Sequence, residues 1–235
     1  MSQMNYIQPS QQPPAPPGRP RRVAPMASRW AAILGALAFG LLYAALPQRL
    51  TYVPSWLPLL IVVIIIAPLS ISHLLSKPLP HSVVRTLAFV LLAVATLALL
   101  VSVALLVITL PHRTAAESKT LLQEAALLWL INILVFALWF WEIDGGGPHK
   151  RHEAEHQAAD LLFPQQVQGK NIYEAWAPHF LDYLFVAFTT TTALSPTDTM
   201  PLSRKAKALM MVEALIALAI IALLASRAIN ILSSG

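Results

Sequence analysis

The sequence predicts an all-α integral membrane protein: a helical bundle of five spans plus one short re-entrant (or thin sixth) helix. Three observations carry this expectation. The 235-residue chain is 57% hydrophobic and only 11% charged, whereas a soluble domain carries about 25% charged residues. Such a chain cannot cover a globular surface with polar groups, so lipid must solvate it. Apolar segments of near-membrane or greater length recur five times. One further apolar run is too short to cross comfortably and ends in threonines and a proline turn, FLDYLFVAFTTTTALSPTDTMP.

Residues 1–28 form a polar tail rich in Gln and Pro (QPSQQPPAPPGRP) with no apolar periodicity. It is expected to be disordered, because it cannot bury enough surface to fold. A three-span region, 29–116, follows. Trp30 to Leu46 is closed by Pro47, and Leu57 to Leu75 carries a kink-forming Pro68. Val83 to Leu110 exceeds the roughly 20 residues a span needs, so it tilts or projects. Its Leu, Val and Ala face suits lipid.

The second region, 117–235, reads as a hairpin of outer span, polar loop, short helix and inner span. Leu121 to Ile143 ends in Trp139, Phe140 and Trp141, rings expected at headgroup level. Gly145-Gly146-Gly147-Pro148 reads as a helix stop. After the loop Asp144 to Pro178, His179 to Leu194 reaches about 24 Å as a helix, less than the roughly 30 Å of hydrocarbon. The last span runs from about Ala206 to Leu232.

Loop charge separates a dip from a crossing. With the N-terminus inside and a dip, Lys150, Arg151, Lys170, Arg204, Lys205 and Lys207 join the inner side. The count is then twelve basic residues inside against four outside (Arg49, Arg113, Lys119, Arg227). A full crossing gives ten against six. The positive-inside rule favours the dip, in a bacterial-type cytoplasmic (inner) membrane. The net charge of +5 is accounted for by headgroup contact, so no nucleic acid is expected.

FTTTTALSPTDTMPLSRKAKAL resembles, without a gap, the pore helix, filter and inner-helix start of two-helix potassium channels, F-x-T-x-T-T-V-G-Y-G-D-x-x-P. Phe188, Thr190, Thr192, Asp198 and Pro201 fall on matching positions. The resemblance implies a pore-loop hairpin. It does not extend to potassium selectivity, because Ser195 and Thr197 stand where the filter has glycines and Pro196 where it has tyrosine. Proline fixes φ and removes a donor, so the carbonyl ladder of a potassium filter is not expected. More widely, WFWEIDGGGP, LFPQ and SPTDTMP are similar to a family of uncharacterised bacterial multi-pass membrane proteins. That similarity covers roughly residues 30 to 232 and brings no activity with it.

Candidate pore-lining residues are Thr189, Thr190, Thr192, Ser195, Thr197, Asp198 and Glu213. The hydroxyls either pack the helix against a neighbour or line a hydrated constriction in a homo-oligomer. Asp198 is expected to cap the next helix, with Ser203 a second capping candidate. Glu213 lies about nine residues, or about 13 Å, into the last span, where an ionisable group is costly unless it faces protein or water. It is either a functional carboxyl or a hydrogen-bonded tie between the last span and the threonine helix. Glu124, Asn132 and Asn230 read as interhelical hydrogen-bonding groups.

His152-Glu153-Ala154-Glu155-His156 matches H-E-x-x-H, with His149 a turn earlier. On a helix the motif sets two imidazoles on one face for zinc, with the Glu as base. Lys150, Arg151 and a second acid, Glu155, depart from the apolar surroundings such helices have, and no third ligand beyond Asp160 is evident. The leading expectation is therefore a channel-like protein with no cofactor. Zinc at His149, His152 and His156 in a membrane-anchored hydrolase is the alternative, and a scaffold without catalysis is the third class. The lipid bilayer is the expected partner in every case.

Overall fold

The computed structural model describes residues 27–74, 80–113, 117–153, 160–167, 176–192 and 198–233. Four helices come first: α1 (Ala27–Ala44), α2 (Leu57–Leu74), α3 (His81–Thr109) and α4 (Ser118–Ile143). Two short helices, α5 (Pro148–Glu153) and α6 (Pro164–Val167), flank the strand β1 (Leu161–Leu162). Helix α7 (Phe180–Thr192), strand β2 (Met200–Pro201) and α8 (Arg204–Ser233) complete the order. Among the described residues, Ser82–Thr109, Lys119–Gly146 and Arg204–Ser226 are long and apolar enough to cross a membrane. Ala32–Ala44 and Leu57–Ala67 are shorter apolar helices. The proline-rich tail lies outside the described residues.

Helix α4 is the hub, packed against α1, α3, α7 and α8. Its 26 residues span about 39 Å, and side-chain contacts along it fix the directions of its neighbours. Gly35 of α1 lies against Leu138 and Phe180. Arg49, just beyond α1, pairs with Glu124 near the start of α4, so α1 and α4 are antiparallel. Arg113, just past α3, reaches the same Glu124, so α3 also opposes α4. One end of the bundle, the Asp144 end, thus gathers the starts of α1 and α3 with the finish of α4. The other is the Glu124 end.

The core follows the helical period. On α3, Leu92, Ala95, Leu99, Ser102 and Leu106 are buried, while Val90, Leu97 and Ile108 are exposed. Helix α8 buries Ala206, Glu213, Ile216, Ala217 and Ile220 and exposes Met211, Leu215 and Leu218. Helix α4 stops at Asp144 because the next three residues, Gly145, Gly146 and Gly147, sit at φ 61, 81 and 98°. Side chains avoid that left-handed region and glycine does not.

One expectation is refined and one is corrected. Phe140 and Trp141, expected at headgroup level, are buried against protein, and Trp139 is half-buried. Trp141 meets Phe180 and Tyr183 edge-on at centroid distances of 6.1 and 5.5 Å, and Trp139 donates its indole N–H to Thr96 Oγ1 at 2.8 Å. Helices α3 and α7 converge on this end of α4 and cover the rings. Asp198 does not cap α8. The helix starts at Arg204, so the capping position is Ser203, whose Oγ accepts the Ala206 N–H at 3.2 Å.

Candidate functional site

Helix α7 starts at the Asp144 end. Asp182 Oδ2 accepts the His179 backbone N–H at 2.7 Å, satisfying a donor ahead of the first turn. Tyr183 donates its hydroxyl to Asp144 Oδ2 at 2.6 Å. The 13 residues of α7 then carry it about 20 Å along α4. At its far end Phe188 stands edge-on to Trp129, and Thr191 reaches Asn132. Asn132 lies about 18 Å from Asp144 along the helix axis, near the middle of α4.

From there the chain turns back. Strand β2 pairs antiparallel with β1, Leu161 opposite Pro201 and Leu162 opposite Met200. β1 is itself held at the Asp144 end, where Asp144 Oδ1 accepts the backbone N–H groups of Asp160 and Leu161, both at 3.1 Å. Asp160 in turn accepts the Leu202 N–H at 2.9 Å through its carbonyl, and its carboxylate lies 3.4 Å from Lys205 Nζ. The chain therefore enters to about half the length of α4, returns to the end it left, and only then begins α8.

At the inner end of this hairpin, three buried polar side chains meet: Asn132, Thr191 and Glu213. Thr191 donates its hydroxyl to Glu213 Oε1 at 2.9 Å. Asn132 Nδ2 lies 3.4 Å from both Thr191 Oγ1 and the Glu213 carbonyl. The amide orientation follows from this network. Thr191 spends its proton on Glu213, and a backbone carbonyl only accepts, so the Asn132 atom facing both must be the donor nitrogen. Asn132 Oδ1 and Glu213 Oε2 are left buried with no hydrogen-bond partner.

Of the predicted pore-lining residues, Glu213 is in this cluster. The hydroxyls of Thr189, Thr190 and Thr192 bond back to carbonyls of their own helix: Thr189 to Phe185, Thr190 to Val186 and Thr192 to Thr189. Asp198 is exposed, and Ser195 and Thr197 lie outside the described residues. The threonine that turns inward is Thr191, which the sequence reading passed over. The signal was present, because the buried positions Phe180, Tyr183 and Ala187 continue at helical spacing to Thr191. Asn132 reads from the sequence as an interhelical hydrogen-bonding group, as it is here, but nothing in the sequence aims it at Glu213.

Ionic clusters close both ends. At the Glu124 end, the Glu124 carboxylate accepts Arg49 Nε at 2.8 Å, Arg49 Nη2, and Arg113 Nη1 at 2.7 Å. At the Asp144 end, Arg151 is buried, donating Nη1 to the carbonyls of Asp144 (2.9 Å) and Trp141 (3.1 Å). Its guanidinium lies over the rings of Trp141 and Tyr183. Arg151, counted in the sequence among the inner-side basic residues, is thus a structural pin.

His149 and His152 belong to α5; their side chains and the whole of His156 lie outside the described residues. Among the described residues, no group of three His, Cys, Asp or Glu is arranged to hold a metal. No family model matches the chain, and neither characterised proteins nor solved structures match it. The resemblances named above therefore stand on their quoted motifs alone.

Proposed function

We propose that the chain is a five-span integral membrane protein of a bacterial-type cytoplasmic membrane, N-terminus inside. In this reading α7 is a re-entrant helix, and the α7–α8 hairpin is a channel-like element without potassium selectivity. The observation that carries the reading is the course of α7, half the length of its neighbour and followed by a return to the same end of the bundle. Non-helical backbone at membrane depth is tolerated only where protein or water satisfies it, as in pore loops. The orientation is supported by charge. Lys150, Arg204, Lys205 and Lys207 gather with the start of α1, and Arg49, Arg113 and Lys119 stand opposite, in the sense the positive-inside rule requires.

The chain has no cysteine, which makes the topology directly measurable. Single cysteines at Lys150 and Lys205 are expected to react with a membrane-impermeant maleimide from one face of sealed vesicles, and one at Lys119 from the other. Labelling of positions 150 and 205 from opposite faces would mean that α7 crosses, ending the re-entrant reading. Conduction is tested in planar bilayers, with the expected outcome a cation conductance of similar size in K+ and Na+. A conductance no greater than that of the protein-free bilayer removes the channel.

A further inference from the structure

We propose that Asn132, Thr191 and Glu213 form a binding site for one small alkali cation of the Na+ class. This deepens the channel-like reading by naming what the hairpin holds, and it rests on the same placement of α7.

Glu213 Oε2 and Asn132 Oδ1 are acceptors, belong to fully buried residues, and have no hydrogen-bond partner. Buried polar groups left in this state are rare, because each costs the desolvation of an unsatisfied group. They come from α8 and α4 and are tied into one cluster through Thr191, and neither can act as the donor the other needs. With Glu213 ionised, both atoms can only accept; a proton on Glu213 is the competing occupant, and the pH arm of the test below separates it from a metal ion. A cation in contact with both serves both.

Ligand type and charge narrow the ion. The cluster offers hard oxygen atoms from a carboxylate, an amide and a hydroxyl, which suit alkali and alkaline-earth ions and not soft transition metals. It carries a single carboxylate, which one monovalent ion neutralises. Helix α7 contributes as well. It ends at Thr192, one residue past Thr191, so the partial negative charge of its C-terminus falls on the cluster. Half-length helices whose C-terminal ends face a bound cation near mid-membrane are an established way to hold Na+.

Equilibrium binding on the purified full-length protein in lipid nanodiscs tests this without any need for conduction. Radiolabelled Na+ is expected to bind saturably at one ion per chain. The unfolding temperature should rise with NaCl or LiCl over choline chloride at constant ionic strength. Asn132→Ala should weaken binding by about tenfold or more, and Glu213→Gln should abolish it. Should Glu213→Gln fail to fold, the wild-type stoichiometry and Asn132→Ala still decide. No saturable alkali-ion binding by the wild type, or binding that survives both substitutions, overturns the site. A response to pH alone also overturns it, by making the proton the ligand. Binding without conductance would sink only the channel reading, and conductance without binding only this one.

Discussion

Replacing Glu124 by alanine should be among the most damaging single changes in the bundle, and the surroundings of its two arginines say by how much. The carboxylate sits at the start of α4 with its side chain 2% exposed; the Arg113 side chain is 4% exposed and that of Arg49 is 38% exposed. Glu124→Ala leaves the Arg113 guanidinium buried without its carboxylate, although it keeps the Thr109 hydroxyl at 3.1 Å. Breaking a buried pair in this way costs about 3–5 kcal/mol. Arg49→Ala removes a partner that water already screens and leaves Glu124 bonded to Arg113, at a cost of about 1 kcal/mol or less. For a chain of this size each kcal/mol lowers the melting temperature by about 2–4 °C. The expected losses are therefore about 6–20 °C for Glu124→Ala and about 4 °C or less for Arg49→Ala, read by thermal unfolding in detergent. The double replacement Glu124→Leu with Arg113→Met removes both charges and should recover most of the loss. A Glu124→Ala loss no larger than that of Arg49→Ala would refute the claim that a desolvated pair closes this end.

Other substitutions test the remaining joints. Tyr183→Phe deletes the 2.6 Å bond to Asp144 and should cost about 1.5–3 kcal/mol, the range for a hydrogen bond to a charged group. A double-mutant cycle with Asp144→Asn should show coupling, and purely additive losses would deny the bond. Gly40→Ala should destabilise, because its Cβ would lie 2.8 Å from Leu59 Cδ1 and 3.0 Å from Leu59 Cα. Overpacking of about 1–3 kcal/mol there outweighs the roughly 1 kcal/mol that alanine gains over glycine in a helix; a raised unfolding temperature would show that α1 and α2 separate freely. Ser203→Ala should cost about 1 kcal/mol through the lost α8 cap, measured in the same unfolding assay, and Asp198→Ala should change little.

Much of this architecture was legible because apolar length and periodicity are local properties. Helices α3, α4 and α8 announce themselves by unbroken apolar runs, and the glycine triplet after Asp144 announces the end of α4. The shortness of α7 was legible for the same reason, because its apolar run gives way to four threonines. What escaped the sequence depends on pairs far apart in the chain. Arg151 looks like any loop arginine until Trp141 and Tyr183 enclose it. Arg49 and Arg113 look like charges on a solvated end until Glu124, 75 and 11 residues away, draws them together. Thr191 hid among four threonines because residue type does not say which way a hydroxyl turns. Its helical phase, counted from Tyr183, does.

The half-length of α7 also makes the two approaches to Glu213 unequal. From the side of Arg151, the interior holds the hydroxyl-bearing tip of α7. Past Glu213 in the other direction, the described residues that α8 buries are Ile216, Ala217 and Ile220, with Ile216 and Ile220 in one core with Leu128 and Ala125 of α4. That aliphatic stopper has no group able to strip or replace a hydration shell. In the proposed channel, an ion would reach the carboxyl from the Arg151 side alone, and passage to the far side would require α4 and α8 to part along the stopper.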